Sequence, residues 1–489
     1  MNILIAGIFG YNSYSRGIMP DVLQTLINKY PEANISFLSC SNSFDVCYFN
    51  PQKQPDICFR CKAGNANTLE LVSGNFTHLK IDDLITIKDR ATAKGFFQNK
   101  PRIDFDQVYE NFEVGEATLS TYISVTRDRD LKDVRQPFVK ELAVNALTLY
   151  LGLQHWLIEK KIDVVYNFNG RQDYVRAVMR AAISKNIDCY NVEKTRLKGH
   201  IDFYKNSFPH DPQSKFELVE TYWRESPLPL KEKERIGTEF YLRQRAGESV
   251  VFPSYTSKMK EGSIPEEALN GNKNIVLFNS SDDEIAAFGD LFQNPHFKDQ
   301  NEGIKFLTNF VGQNLADHNL IIRMHPNLTG VRQDYVQEII DLHQVFPNIY
   351  VIAPESAIDS YALMESAEKV VSFGSTTGLE ATFMRKPVLL LGIGFFYPAN
   401  YAFKPKNRSE IEHLLRAPLQ PASLEDTLKV GFFIEQGGIK TLFYSEEKMG
   451  EGIYFKNRRV HFYSFSQRSK AAFIKVAHQL FNLRLKLKS

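Results

Sequence analysis

Nowhere in its 489 residues does the chain run to the roughly 18 uninterrupted apolar residues of a spanning helix; its longest candidate, Pro387 to Tyr397, is about half that. The expectation is that nothing here crosses a bilayer. A basic leader is also missing: MNILIAGIFG passes directly into the polar stretch Tyr11 to Arg16. It reads as a first buried strand rather than a signal peptide, which predicts a cytosolic protein. Cysteine is scarce, five in all, too few for a disulfide framework in a chain of this length. There is no internal repeat and no low-complexity segment, which argues against solenoids and arrays. The last gap is one of charge: from Ile453 to Ser489 there is no Asp or Glu, against nine Lys/Arg (Lys456, Arg458, Arg459, Arg468, Lys470, Lys475, Arg484, Lys486 and Lys488). The whole chain carries +2, so the rest of it carries about −7, and the tail needs its own explanation.

What is present is ordinary globular material, 43% hydrophobic and 24% charged, enough for two or three domains with a substantial core. Short apolar runs alternate with amphipathic ones, the pattern of parallel sheets covered by helices. In the first half the spacing predicts strands at Asn2 to Ala6, Ile35 to Ser39, Val164 to Phe168 and Cys189 to Val192. Helices are predicted at Arg16 to Lys29, Phe138 to Lys161 and Tyr174 to Lys185, with a polar insertion of mixed structure from Lys62 to Arg135. From Pro209 to about Asn272 charge, proline and turn residues mark a connector, helical around Lys231 to Gly247. The alternation then restarts with strands at Asn274 to Phe278, Leu320 to Met324, Ile349 to Ile352, Val370 to Phe373 and Val388 to Leu391. The predicted architecture is α/β of the GT-B kind, two Rossmann-type doubly wound domains facing a central cleft. Residues 1–208 form an acceptor domain with a Cys-rich insertion and 209–272 a helical connector. Residues 273–445 form a nucleotide-sugar domain, and 446–489 a basic helical tail.

Ligands of such sheets bind at the carboxyl ends of the strands, so chemistry belongs on the loops that follow them. The segment KVVSFGSTTGLEATFMRKPVLLL, Lys369 to Leu391, is a strand, a turn of small residues and a helix. Gly374, Ser375, Thr376 and Thr377 offer backbone N–H groups and hydroxyls to a phosphate, beyond what capping alone requires. Glu380 in the first helical turn either reaches a ribose hydroxyl or simply favours the positive helix end. Arg323 and His325, with Pro326 fixing the turn, end another strand and place two donor groups toward the same anion. Ser280 and Ser281, in the cluster Asn279 to Glu284, either contact the donor or cap the next helix.

In the first half, Asn169, Gly170, Arg171 and Asp173 follow one strand and Glu193 another. Asp173 or Glu193 is the candidate base for an acceptor hydroxyl, or else Asp173 is a helix cap and Glu193 half of an ion pair. Asn169, Arg171 and, in the opening loop, Asn12 are candidate acceptor contacts. Cys40, Cys47, Cys58 and Cys61 fall within 22 residues and end in a C-x-x-C pair, which fits either a structural zinc or reduced thiols packed beside a strand. Catalysis itself calls for no cofactor. The tail shows helical spacing over Ala471 to Leu485, with Phe473, Val476, Ala477, Leu480 and Phe481 expected to dock on the first domain while Lys and Arg face anionic lipid at about 1 kcal/mol each. No base-stacking or groove-reading module accompanies the charge, so a membrane surface is favoured over nucleic acid.

With RMHP at Arg323 to Pro326, FGSTTGLEATFMRKPVLLLG at Phe373 to Gly392, SSDDE at Ser280 to Glu284 and NGR at Asn169 to Arg171, the chain resembles capsular and lipopolysaccharide biosynthesis proteins of the Kdo-transferase-like group. Its His-Pro and Ser-Thr pairs are also similar to two motifs by which bacterial sialyltransferases hold CMP. That resemblance implies His325, Ser375 and Thr376 at the donor phosphate, and a CMP-sugar such as CMP-Kdo as donor. The acidic-acidic-glycine motif that supplies the sialyltransferase base is absent, because Leu84 follows Asp82 and Asp83. The function expected is glycosyl transfer from a nucleotide sugar to a cell-surface polysaccharide or glycolipid, by a cytoplasmic protein peripheral at the inner membrane. Two alternatives are transfer of a polyol phosphate from a CDP-linked donor, as in teichoic-acid synthesis, and a non-catalytic scaffold of polysaccharide assembly.

Overall fold

A computed structural model describes residues 1–132, 134, 137–248, 260–448 and 451–486. By contact the chain divides into two compact units: 1–126 with 130–209 and 438–489, and 127–129 with 210–437. This corrects the sequence division in two places. The expected connector 209–272 contributes helices to the second unit, its residues 249–259 lying outside the described part. The basic tail, set apart from residue 446 in the sequence division, belongs to the first unit from residue 438 on.

The first unit opens with β1 (Asn2–Ala6), α1 (Ser13–Lys29), β2 (Asn34–Ser39), α2 (Pro55–Leu69) and β3 (Thr77–Lys80). Then come α3 (Ile87–Phe97), α4 (Val114–Thr126), α5 (Pro137–Glu159), β4 (Val164–Phe168), α6 (Asp173–Ser184), β5 (Asp188–Lys194) and β6 (His200–Lys205). The polar insertion is therefore largely helical; Arg135, its far end, lies outside the described residues. The second unit holds α7 (Pro212–Glu225), α8 (Leu230–Arg245), β7 (Lys273–Phe278), α9 (Asp282–Ala286), α10 (Gln300–Asn314), β8 (His318–Arg323) and α11 (Asp334–Ile340). It continues with β9 (Ile349–Ile352), α12 (Ser360–Ser366), β10 (Ala367–Ser372), α13 (Thr377–Phe383), β11 (Val388–Leu390), α14 (Arg408–Arg416) and α15 (Glu425–Gln436). The chain returns to the first unit through β12 (Ile439–Lys440), β13 (Tyr444–Lys448), β14 (Glu451–Phe455), β15 (Arg458–Arg459) and α16 (Phe465–Lys486).

The sheet of the first unit runs β12-β6-β5-β4-β1-β2-β3, parallel from β5 to β3 with β6 and β12 antiparallel at one edge. The second sheet, β11-β10-β7-β8-β9, is parallel throughout. Both have the doubly wound order in which the first strand sits at the centre and the chain leaves it in opposite directions. Strands buried on both faces need continuous apolar runs, and Ile275, Val276 and Leu277 of β7, like Ile3, Leu4 and Ile5 of β1, have no exposed surface. The α/β class and two doubly wound sheets are as the sequence predicts. Reversal of strand order leaves a crevice at the carboxyl ends between β1 and β4 in one unit, and between β7 and β10 in the other. Among the described residues no helix is long and apolar enough to cross a membrane.

Candidate functional site

In the second unit the loops after β10, β7 and β8 leave three adjacent strands at their carboxyl ends, and side chains join them. The Ser280 hydroxyl donates to the Phe373 carbonyl at 2.7 Å, and the His325 N–H donates to Asn279 Oδ1 at 2.6 Å. The Ser375 turn and the His325 turn therefore flank the Asn279–Ser280 step on either side, with β7 between them. Asn279 is buried, and its Nδ2 finds no acceptor among the described residues. A buried amide donor without a partner costs free energy on the order of 1–3 kcal/mol, which a ligand oxygen would recover.

Gly374 holds a left-handed φ of +86°, and a Cβ there would meet the Ile393 carbonyl oxygen at 2.4 Å, so only glycine lets this turn lie against the loop after β11. Ser375, Thr376 and Thr377 are half-buried; the Thr377 hydroxyl donates to Ser375 Oγ at 2.9 Å, and Thr376 takes the cap position of α13 without a side-chain cap bond. Beyond β8, Pro326 starts a single 3-10 turn capped by His325, whose Nδ1 accepts from the Asn327 N–H at 3.2 Å. The proton of the neutral ring therefore sits on Nε2. Burial above all, then the Arg323 charge, pushes the ring down to about 4, so at neutral pH His325 is an uncharged N–H donor.

Three expectations need correction here. Arg323 does not face the anion turn: its guanidinium is buried and donates to the carbonyls of Met324, Ala353 and Ser356, so it holds the loop after β9, and burial pushes it down to about 10. Ser280 is spent on joining loops, and Ser281 accepts from Arg127 at 3.3 Å. Glu380 accepts from the Tyr361 hydroxyl at 2.5 Å, which directs it to α12. Within the Ser280 to Glu284 cluster, Asp282 and Asp283 are engaged in ion pairs, because both are buried and a buried carboxylate needs a cation.

Those cations are Arg127 and Arg129, which sequence reasoning missed. Arg127 binds Asp283 through two nitrogens, at 2.7 and 3.0 Å, and donates to the Asn327 carbonyl at 3.1 Å, so one guanidinium spans the loops after β7 and β8. Arg129 pairs with Asp282 and lies 4.4 Å over the Tyr335 ring. No periodicity announces two arginines from a short segment after α4; only the uncompensated Asp282-Asp283 pair hinted that a counter-charge must exist.

In the first unit Asn169 and Gly170 both hold left-handed φ values, +63° and +82°, turning the chain sharply after β4. Asn169 Nδ2 donates to Glu193 Oε2 at 2.6 Å, and Arg171 Nη2 donates to Ser124 Oγ at 3.3 Å. Asn12 caps α1, accepting from the Ser15 N–H at 3.1 Å. Asp173 departs most from expectation. It has no exposed surface, Oδ1 accepts the Tyr174 N–H at 2.6 Å, Oδ2 finds no donor among the described residues, and burial raises the carboxyl to about 7. A group with no surface cannot touch an acceptor, so of the two candidate bases the half-buried Glu193 alone is presented.

The four cysteines gather around one small apolar cavity that Phe9, Phe44, Phe49, Ile57 and Tyr174 also line. Burial raises every one of these thiols, Cys61 to about 12. Among the described residues no group of three or more His, Cys, Asp or Glu is arranged to hold a metal. Titration with a disulfide reagent is expected to count five thiols in denaturant and to proceed at least tenfold more slowly in the native protein at pH 8.

Residues 265–399 match the family model described as capsule polysaccharide biosynthesis protein. That segment is just over a quarter of the chain, and all five strands of the second sheet and the three joined loops fall inside it. Three of the four motifs that carry the sequence resemblance, RMHP, FGSTTGLEATFMRKPVLLLG and SSDDE, lie inside it. None of the curated proteins matches the chain. Among solved structures it is similar to the KpsC beta Kdo 2,4 transferase of Thermosulfurimonas dismutans, with 12% identity over 55% of this chain and 79% of that one and a TM-score of 0.37. The KpsC beta Kdo 2,7 transferase from that organism shares 13% identity over 67% and 89%, with a TM-score of 0.34. A UDP-GlcNAc 2-epimerase of Methanocaldococcus jannaschii, in complex with UDP-GlcNAc and UDP, shares 10% over 88% and 97%, with a TM-score of 0.27.

Proposed function

We propose that the chain is a glycosyltransferase of capsule-type polysaccharide synthesis, taking a sugar from a nucleotide donor held at the loops after β7, β8 and β10. The observation that carries this reading is the joining of those loops through Asn279 and Ser280, with an unpartnered Asn279 amide between the His325 and Ser375 turns. A leaving phosphate at that point meets N–H and O–H donors rather than bare cations, an arrangement that stabilises developing negative charge without prior reorganisation. His325 contributes a neutral Nε2–H, and Ser375 and Thr376 contribute hydroxyls. Glu193, oriented by Asn169, is the base for the acceptor hydroxyl. Such a mechanism calls for no metal cofactor. The donor is a CMP-sugar such as CMP-Kdo, a choice supported by the His-Pro and Ser-Thr resemblance; the acceptor is a growing surface polysaccharide or glycolipid, and the site of action is the cytosolic side of the membrane.

The experiment is a nuclear magnetic resonance titration with CMP, UDP and GDP. CMP is expected to bind at least tenfold more tightly than the others, with His325 and Ser375 perturbed; if no nucleotide binds, the transferase reading fails. Incubation with a CDP-linked polyol would give new phosphodiesters only if the phosphotransferase alternative holds.

A further inference from the structure

The tail forms a helix, α16, but its apolar side chains do not dock. The helix meets α2 through its first half. Gln467 exchanges hydrogen bonds with Asn67 at 2.9 and 3.0 Å, Lys470 lies 5.4 Å over the Phe59 ring, and Ala471 is buried. The half-buried Ile474 and His478 continue that side, at spacings of three and four residues. At about 100° per residue the opposite side carries Phe473, Val476, Leu480 and Leu483. All four are open: Phe473 is 74% exposed, Leu480 61%, Leu483 56% and Val476 53%. Four large apolar side chains on one face of a helix about 33 Å long are far more than the scattered exposure of an ordinary surface.

We infer that α16 lays this stripe, Phe473, Val476, Leu480 and Leu483, into the surface of an anionic lipid bilayer. Charge selects the occupant. Nine Lys/Arg and no acid follow Ile453, so a second copy of the tail would be repelled, and a neutral apolar partner would leave the basic residues unanswered. Nucleic acid would answer the charge but leave the stripe in water. Anionic headgroups over acyl chains answer both: the stripe enters the acyl boundary, and exposed residues such as Lys475 reach the headgroups from its flank. This reverses the sequence expectation, in which the apolar face docked on the protein and the basic face alone met lipid. It also stands apart from the transferase reading, since it rests on the tail alone.

The test is sedimentation of the full chain with vesicles of phosphatidylcholine alone or mixed with equal parts phosphatidylglycerol. Binding to the mixed vesicles is expected to be at least tenfold tighter, to weaken with salt, and to fall at least tenfold in the double variant Phe473→Asp, Leu480→Asp. In Phe473→Trp, tryptophan emission is expected to shift to the blue with mixed vesicles only, a readout that does not depend on the fate of the double variant. Equal binding to both vesicles, no binding, no spectral shift, or self-association that the double variant abolishes without any lipid binding overturns the inference. No donor nucleotide enters the assay, so its failure is separable from failure of the transferase reading.

Discussion

Replacing His325 by alanine is expected to lower kcat for transfer by about 10²- to 10³-fold, the usual cost of removing one preorganised donor from a developing anion. The ring is fixed by its Nδ1 bond from Asn327, and its backbone N–H is fixed by Asn279, so the Nε2–H direction is set before substrate arrives. His325→Asn, which keeps a short amide donor, should recover part of the loss, whereas a merely structural ring would not be rescued by polarity. The pH profile separates a hydrogen-bond donor from a cation. Because burial and Arg323 push the ring to about 4, the rate should show no limb attributable to His325 between pH 5.5 and 8. A histidine acting as a cation would instead lose activity as pH rises through its ordinary value near 6.5. The same depression has a stability consequence of the opposite sense: the unfolded chain takes up the proton first, so His325 destabilises the fold as pH falls from about 6.5 to about 4.

The parts of this fold that were legible in sequence are those whose signal is local. β1 and β4 fall where the apolar runs place them, because a central strand must be apolar on both faces. The edge strands β3 and β12 carry no such run; THLK and IK are strands only because a neighbour offers its backbone edge. Helices α2 and α3 were hidden in polar text because few of their residues are buried, five in α2 and three in α3. For the site, topology was enough to bring together the loops after β7, β8 and β10, which the strand order alone dictates. The direction of each side chain was not. Arg323 and His325 are two residues apart, yet one guanidinium caps carbonyls of the β9 loop while the imidazole belongs to the joined loops, a difference set by which carbonyls lie unpaired nearby. Arg127 illustrates the other limit, because a counter-charge 156 residues away from its carboxylate leaves no trace in spacing.

Asp173→Asn is expected to raise the stability of the first unit, by about 2–4 kcal/mol at pH 8 and by almost nothing near pH 3. In the folded chain this carboxyl is held to about 7 by burial, against 3.8 for the unfolded group. At about 1.4 kcal/mol per unit, the folded state bears a cost of up to roughly 4 kcal/mol once the medium is alkaline enough to ionise it. The sign follows from proton binding. Below pH 3.8 both states hold the proton and the cost is absent; between about 4 and 7 the unfolded chain releases it first, so stability falls as pH rises; above 7 the full cost is present. Asparagine keeps the acceptor that meets the Tyr174 N–H and cannot ionise, so urea melts of variant and parent should coincide at acid pH and separate steadily up to neutrality. The same variant decides the chemistry between the two candidate carboxylates. With Asp173 enclosed, Asp173→Asn should transfer sugar within about threefold of the parent, while Glu193→Gln should lose about 10²- to 10⁴-fold in kcat with donor KM little changed. Should Asp173→Asn be the one to lose that activity while gaining stability, the loop from Asn169 to Asp173 must open during turnover, and the unpartnered Oδ2 is then strain held for catalysis rather than an incidental cost of burial.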